Sequence, residues 1–356
     1  GLSITIRRLA ITMPLLAAFV VALGAYTRLK DAGLGCPDWP GCYGFLTVPE
    51  HIDDVKIAQA RFPNSPVEAD KGWPEMIHRY FASTLGLLIL AMAAMAIKHR
   101  KKPEQQVKLP IFLVLLVCFQ GALGMWTVTM LLKPFIVTLH LLGGMLTLAL
   151  LFWTTITHYL NTKPQNNNLG IFASASLKRW ALFALIVVYI QIALGGWTST
   201  NYVALYCTDL PTCQGQWLPP TNFEEGFTLW HKDHTDDKNY EGGVLSLEAG
   251  TAVHITHRIG ALITLLVVGG FALKLLLLGT PARRYGTLLG IVLATQISLG
   301  LLNIILVLPI PIAVAHNAVA AILLLSLILI TRILKTEHTL RPATQVEKLD
   351  SGIQTA

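Results

Sequence analysis

The sequence predicts an all-α integral membrane protein whose eight transmembrane helices form two pseudo-symmetric four-helix bundles, related as a parallel internal repeat. Composition is the first observation behind this. Of 356 residues, 53% are hydrophobic and 13% charged, and mean hydropathy is positive, which is more apolar surface than a soluble core of this size can hide. The second is length: eight apolar runs approach the about 20 residues that one helix needs to cross the hydrocarbon layer. The third is self-similarity, because motifs of the first half return in the second.

In chain order the runs cover about 8–28, 76–97, 108–130, 134–156, 178–200, 252–277, 285–307 and 311–333. The first exceeds a signal-peptide core and ends at Tyr26-Thr27-Arg28-Leu29-Lys30 with no small-residue cleavage site, so it reads as a retained span. Basic connections alternate with long acidic ones. Arg7, Arg8, the run Lys98 to Lys102, Lys178-Arg179, Arg283-Arg284, Arg332 and Lys335 all fall on one side, which the excess of Lys and Arg in inner loops marks as cytoplasmic. Both termini then lie inside, and membrane lipid is the main partner. The formal net charge of +7 follows from this topology and from anionic inner-leaflet lipid; no nucleic-acid motif accompanies it. Segments 8–156 and 178–333 form the two halves, and 334–356 reads as a disordered cytoplasmic tail.

The repeat is specific. Gly24 in Val21-Ala22-Leu23-Gly24-Ala25-Tyr26-Thr27, with Cys36 and Cys42 beyond it, recurs as Gly195 in Ile192-Ala193-Leu194-Gly195-Gly196-Trp197-Thr198, with Cys207 and Cys213, at a constant offset of 171 residues. His78-Arg79 recurs as His257-Arg258 at an offset of 179, and His140 recurs as His316 at 176. Gln120-Gly121-Ala122-Leu123-Gly124 recurs as Gln296-Ile297-Ser298-Leu299-Gly300, also at 176. Four spans per half give both copies the same membrane orientation.

Histidine placement indicates the chemistry. His51, His99, His158, His231, His234 and His338 fall in loops or the tail by the hydropathy pattern, whereas His78, His140, His254, His257 and His316 fall within or at the mouths of spans. An intramembrane ionisable group costs about 2.5–3.5 kcal/mol on insertion scales and usually serves a function, although a histidine bonded to a neighbouring helix is the plain alternative. His78 with His140, and His257 with His316, sit at matched depths near the outer ends. Two imidazoles facing each other suit the opposite faces of a haem, and each half has too few ligands for a closed zinc site. Glu75, three residues before His78, shares its helical face; as an acid in a first helical turn it could equally serve the macrodipole. His254 stands in its place in the second copy.

Cys36 with Cys42 and Cys207 with Cys213 form two Cys-x5-Cys pairs in outer loops, where an oxidising compartment favours disulfides. A structural staple over the outer mouth, a redox relay and metal binding are all compatible with them. Cys118 reads as a small apolar residue buried in a helix. His231-Lys232-Asp233-His234, set among Asp236, Asp237 and Lys238, reads as a solvated loop rather than a metal site.

Tyr26-Thr27-Arg28-Leu29 with Gly33-Leu34, Glu75-Met76-Ile77-His78-Arg79, His140, His257-Arg258 and His316, on eight spans with duplicated outer cysteine pairs, resembles the haem A synthase family from about residue 8 to 333. The cysteine pairs resemble its bacterial branch, which implies a bacterial inner membrane. The resemblance implies an oxidoreductase that turns the methyl group of haem O into the formyl group of haem A for terminal oxidase assembly. It implies that His78 and His140 hold the substrate haem, that His257 and His316 are axial ligands of a haem B that passes electrons, and that Glu75 is the catalytic carboxylate. Implied partners are the enzyme that produces haem O and an unidentified electron donor or acceptor, and a homo-oligomer is compatible. Two rivals have different architectures: a di-haem cytochrome b oxidising quinol stacks both haems in one bundle at different depths, and a haem transporter favours broken helices and midplane polar groups.

Overall fold

A computed structural model describes residues 2–103, 105–162 and 174–338. Its helices are α1 (Leu2–Leu29), α2 (Ile52–Arg61), α3 (Ala69–Lys98), α4 (Lys108–Thr129), α5 (Pro134–Thr162), α6 (Ala175–Thr200), α7 (Phe223–Gly226), α8 (Leu247–Leu277), α9 (Ala282–Ile305) and α10 (Ile310–His338). Eight of them are long and apolar enough to span a bilayer. The short α2 and α7 belong to the connections α1–α3 and α6–α8.

Lipid dictates the form of these segments, since a backbone amide has no water to bond in hydrocarbon and must be satisfied along the helix. Side-chain hydroxyls obey the same constraint. Those of Thr27, Thr127, Thr147, Thr198, Thr256 and Thr264 each donate to the carbonyl four residues earlier, so threonine is tolerated inside the spans. Leu15, Leu87, Leu115, Leu266 and Ile291 point outward, where the surrounding solvent is acyl chain.

Helix neighbours close two rings. In one, α1 packs on α3 and α5, and α4 packs on the same two; in the other, α6 packs on α8 and α10, and α9 packs on both. The rings meet along α1–α10, α5–α6 and α5–α10. One continuous apolar core runs through both, from Met13, Ile89, Leu113 and Leu148 to Val268, Phe271, Leu289 and Leu327. Across the seam, the Tyr189 hydroxyl donates to the Leu142 carbonyl at 2.9 Å, and Thr138 and Thr200 share a hydrogen bond of 3.2 Å.

Several elements depart from the hydropathy pattern. α3 begins at Ala69 and α8 at Leu247, earlier than their apolar runs; Glu68 makes no side-chain cap at the start of α3, whereas α8 is capped. Ser246 Oγ accepts the amide of Ala249, which is such a cap. Glu75 therefore lies in the second turn of α3, away from the helix terminus, so a macrodipole role does not account for it. His158 and His338 lie on α5 and α10 rather than in connections. Cys118 is exposed on the outside of α4 rather than buried; lipid accepts a thiol as readily as a core does. The sequence tail from 339 to 356 lies outside the described residues.

The approach of α8 and α9 is set by Gly286, where an added Cβ would stand 2.7 Å from the Ala272 carbonyl oxygen and 2.9 Å from Leu275 Cβ. Gly286→Val should force these helices apart and cost about 1–3 kcal/mol. Thermal unfolding of the detergent-solubilised protein should show a lowered Tm; an unchanged Tm would contradict this contact.

Candidate functional site

His78, His140, His257 and His316 each rest against a glycine on a neighbouring helix. A Cβ on Gly24 of α1 would stand 3.1 Å from His78 Cε1, and one on Gly195 of α6 would stand 3.3 Å from His257 Cε1. On the other side of each ring, a Cβ on Gly124 of α4 would lie 3.6 Å from His140 Cε1, and one on Gly300 of α9 3.2 Å from His316 Cε1. Glycine leaves the volume that the imidazole fills. In the sequence these glycines mark only the repeated motifs; their role emerges when the helices are brought together.

His78 and His140 face each other with ring centroids 6.5 Å apart and ring planes 88° apart. That separation suits one metal held between two imidazole nitrogens, with bonds of about 2 Å on either side. The Nδ1 atoms of His78, His140 and His316 are buried without a hydrogen-bond partner, a costly condition that a bound group relieves. His257 differs, since Gln191 Nε2 lies 3.1 Å from its Nδ1 and donates to its carbonyl at 2.9 Å. Gln120 Nε2 donates likewise to the His140 carbonyl. Among the described residues no three His, Cys, Asp or Glu side chains converge on a common centre, and the facing rings of His78 and His140 form one imidazole pair.

A cavity of about 380 Å³ opens between α1, α3, α4 and α5, with α6 and α10 at its back. It brings Glu75, His78 and His140 together, as their spacing predicts, in walls formed by Val20, Val21, Leu85, Val117 and Leu141. Its volume falls within the roughly 300–1,000 Å³ usual for small-molecule and cofactor sites. Arg28, Arg79, Gln120 and Asn317 also line it. Sequence spacing singles out none of these four as site residues, although Arg79 stands four after Glu75, where the two can pair on one helix face.

Glu75 is 5% exposed and accepts a hydrogen bond at each oxygen. Its Oε1 accepts from Arg79 Nη2 at 2.5 Å, and its Oε2 accepts the amide of Cys36 at 2.9 Å. In the second copy His254 occupies the matching place, with Nδ1 donating to the Val203 carbonyl at 3.1 Å and Nε2 buried without a partner. A carboxylate thus stands three residues before His78, where a histidine stands three before His257.

Cys36 is disulfide-bonded to Cys42 and Cys207 to Cys213, and both loops make the same turn. Asp38 accepts the amides of Tyr43 and Gly44; Asp209 accepts those of Gln214 and Gly215. Bonds from the Thr212 hydroxyl and these amides hold the Asp209 carboxyl down to about 2. Arg79 donates to the carbonyls of Asp38 and Gly41, and Arg258 to those of Cys207, Asp209 and Thr212. Each disulfide loop is therefore tied to the helix that carries the histidine below it. In the α6–α8 connection, the rings of His231 and His234 stack with centroids 4.7 Å apart, and His234 Nδ1 lies 2.9 Å from the Tyr240 hydroxyl.

Comparison with known proteins agrees with this architecture. The family described as cytochrome oxidase assembly protein (COX15-CtaA) matches residues 7–328. A haem A synthase of Shewanella oneidensis is 46% identical over 311 residues, covering 87% of this chain and 91% of its own. Haem A synthases of a Chelativorans species and of Granulibacter bethesdensis are 28% and 24% identical, covering 86% and 96% of this chain and 84% and 88% of theirs. On the extent of the family match and the identity to the Shewanella relative, the chain belongs to the haem A synthase family of cytochrome oxidase assembly proteins.

Proposed function

We infer that this protein is a haem A synthase, a membrane oxidoreductase that converts the methyl substituent of haem O to the formyl group of haem A. The observation that carries the reading is the convergence of Glu75, His78 and His140 on one cavity, in a chain 46% identical to a haem A synthase. The half spanning 8–156 takes the substrate haem between His78 and His140. The half spanning 178–333 holds a haem B between His257 and His316, and the two halves are pseudo-symmetric copies. The haem B, when bound, supplies a redox centre through which electrons leave or reach the substrate side. The outer ends of the helices, with both disulfide loops, face away from the cytoplasm, and both termini face it. The haem O-producing enzyme and an electron donor or acceptor are the partners this chemistry requires.

Oxidising a methyl group at the ring edge withdraws electrons and protons from one carbon and develops positive charge there. Glu75 contributes a negative charge whose position is fixed by Arg79 and by the Cys36 amide, so little reorganisation accompanies charge development. The lone pairs that Glu75 keeps free can accept a proton released from that carbon. The Thr27 hydroxyl is turned away to the carbonyls of Leu23 and Pro74 and does not compete for the carboxylate. Val20, Val21 and Leu85 give that side of the cavity apolar walls, and a low local dielectric strengthens the electrostatic interaction there. His254 gives the second site no carboxylate, in keeping with electron transfer free of ring chemistry.

Two variants test the assignments. Glu75→Ala should retain bound haem but lower haem A formation by about 100-fold or more, measured by haem extraction after expression; normal haem A output would remove Glu75 from the chemistry. His257→Ala should lose the low-spin haem B absorption while titrated haem O still binds at the first site, and an unchanged spectrum would contradict the ligand pair.

A further inference from the structure

Arg28 lies in the last turn of α1, and its side chain lines the cavity that holds Glu75, His78 and His140. Its Nη2 donates to Ser199 Oγ on α6, and its guanidinium lies 5.5 Å from the centroid of the Tyr202 ring. Both contacts come from the other half of the chain, and they set the planar head across the seam between the two rings of helices. Neither neutralises it, and Asp31, three residues on, acts on it electrostatically from beyond ion-pair distance. Among the described residues the carboxylate ion pairs are those of Lys71 with Glu68 and Arg79 with Glu75, so Arg28 has none. The two other arginines at this level are committed: Arg79 to Glu75 and loop carbonyls, Arg258 to loop carbonyls alone. A half-buried cation with no carboxylate in direct contact is stabilised when an anion reaches it.

A haem carries its two anionic propionates on one edge of an otherwise apolar periphery. We propose that Arg28 binds a propionate carboxylate of the substrate haem and thereby fixes the rotation of the macrocycle about the line joining His78 and His140. This rests on reading the cavity as the substrate site. Two axial ligands hold the plane of the ring but leave it free to turn within that plane, and several methyl groups lie around its rim. An anchor at one edge decides which methyl stands beside Glu75. A planar guanidinium suits a carboxylate because it donates through two parallel N–H groups. The second copy supports the assignment: the position 171 residues after Arg28 is Ser199, so the cation stands at this position in the half that holds Glu75, where rotational choice matters to the product, and a serine stands there in the other. Electron transfer at the other site needs no such choice.

The test compares haem O with its propionate dimethyl ester, titrated into the purified full-length protein and followed by low-spin absorption. Esterification should weaken wild-type binding about 10- to 100-fold, the range for a hydrogen bond to a charged group. Arg28→Gln should weaken binding of the free acid by a similar factor and leave ester binding unchanged, with Arg28→Lys in between. Retained haem B at the second site reports that each variant is folded. Equal wild-type affinity for acid and ester overturns the proposal without any variant, as does an esterification penalty that persists undiminished in Arg28→Gln. The two readings separate cleanly: wild-type protein that discriminates acid from ester but makes no haem A sinks the synthase reading while leaving the Arg28 contact standing.

Discussion

An imidazole can stand at the centre of a ring of four helices only where the helix facing it has no side chain, and this requirement recurs at four places in the chain. Gly24, Gly124, Gly195 and Gly300 each abut one of the histidines, and the helices must approach closely at those points for the rings to meet. In lipid such approaches cannot rely on a hydrophobic driving force, since acyl chains are as apolar as leucine, so close packing at small residues sets the geometry. The interior space between paired histidines follows from that packing.

The outer loops complete the site from above. Each disulfide closes a short turn around an aspartate, Asp38 or Asp209, and an arginine of the helix below reaches up to its carbonyls. In the first half the same arginine also grips Glu75, whose second oxygen takes the Cys36 amide. A buried carboxylate is expensive to hold unless both its charge and its lone pairs are met, and here loop and helix meet them together. In the second half His254 stands in that place, bonded to the Val203 carbonyl, with Arg258 tying the loop as Arg79 does.

Much of this was legible in the sequence because lipid imposes strong patterns. Apolar length gave the eight spans, and the recurrence of His78 and His140 as His257 and His316 marked four histidines that each meet a glycine of a neighbouring helix. Helix ends were less legible, since Ala69–Glu75 and Leu247–Thr251 are helical without being continuously apolar, and hydropathy reports solvent rather than hydrogen bonding. For the same reason His158 reads as a loop residue yet lies on α5, and Cys118 reads as buried yet faces outward. Arg28 and Asn317 were invisible as cavity residues because their roles depend on how the two halves meet, and no local spacing records the contact of Arg28 with Ser199 or the turn of α10 that places Asn317 behind the first cavity.

The most direct measurement is extraction and mass analysis of the haems in the purified protein, together with its reduced-minus-oxidised spectrum. The account predicts haem B together with haem O, haem A or a partly oxidised intermediate, one class for each histidine pair. Two haem B molecules per chain, with no haem O derivative, would contradict it and identify the molecule as a di-haem electron carrier.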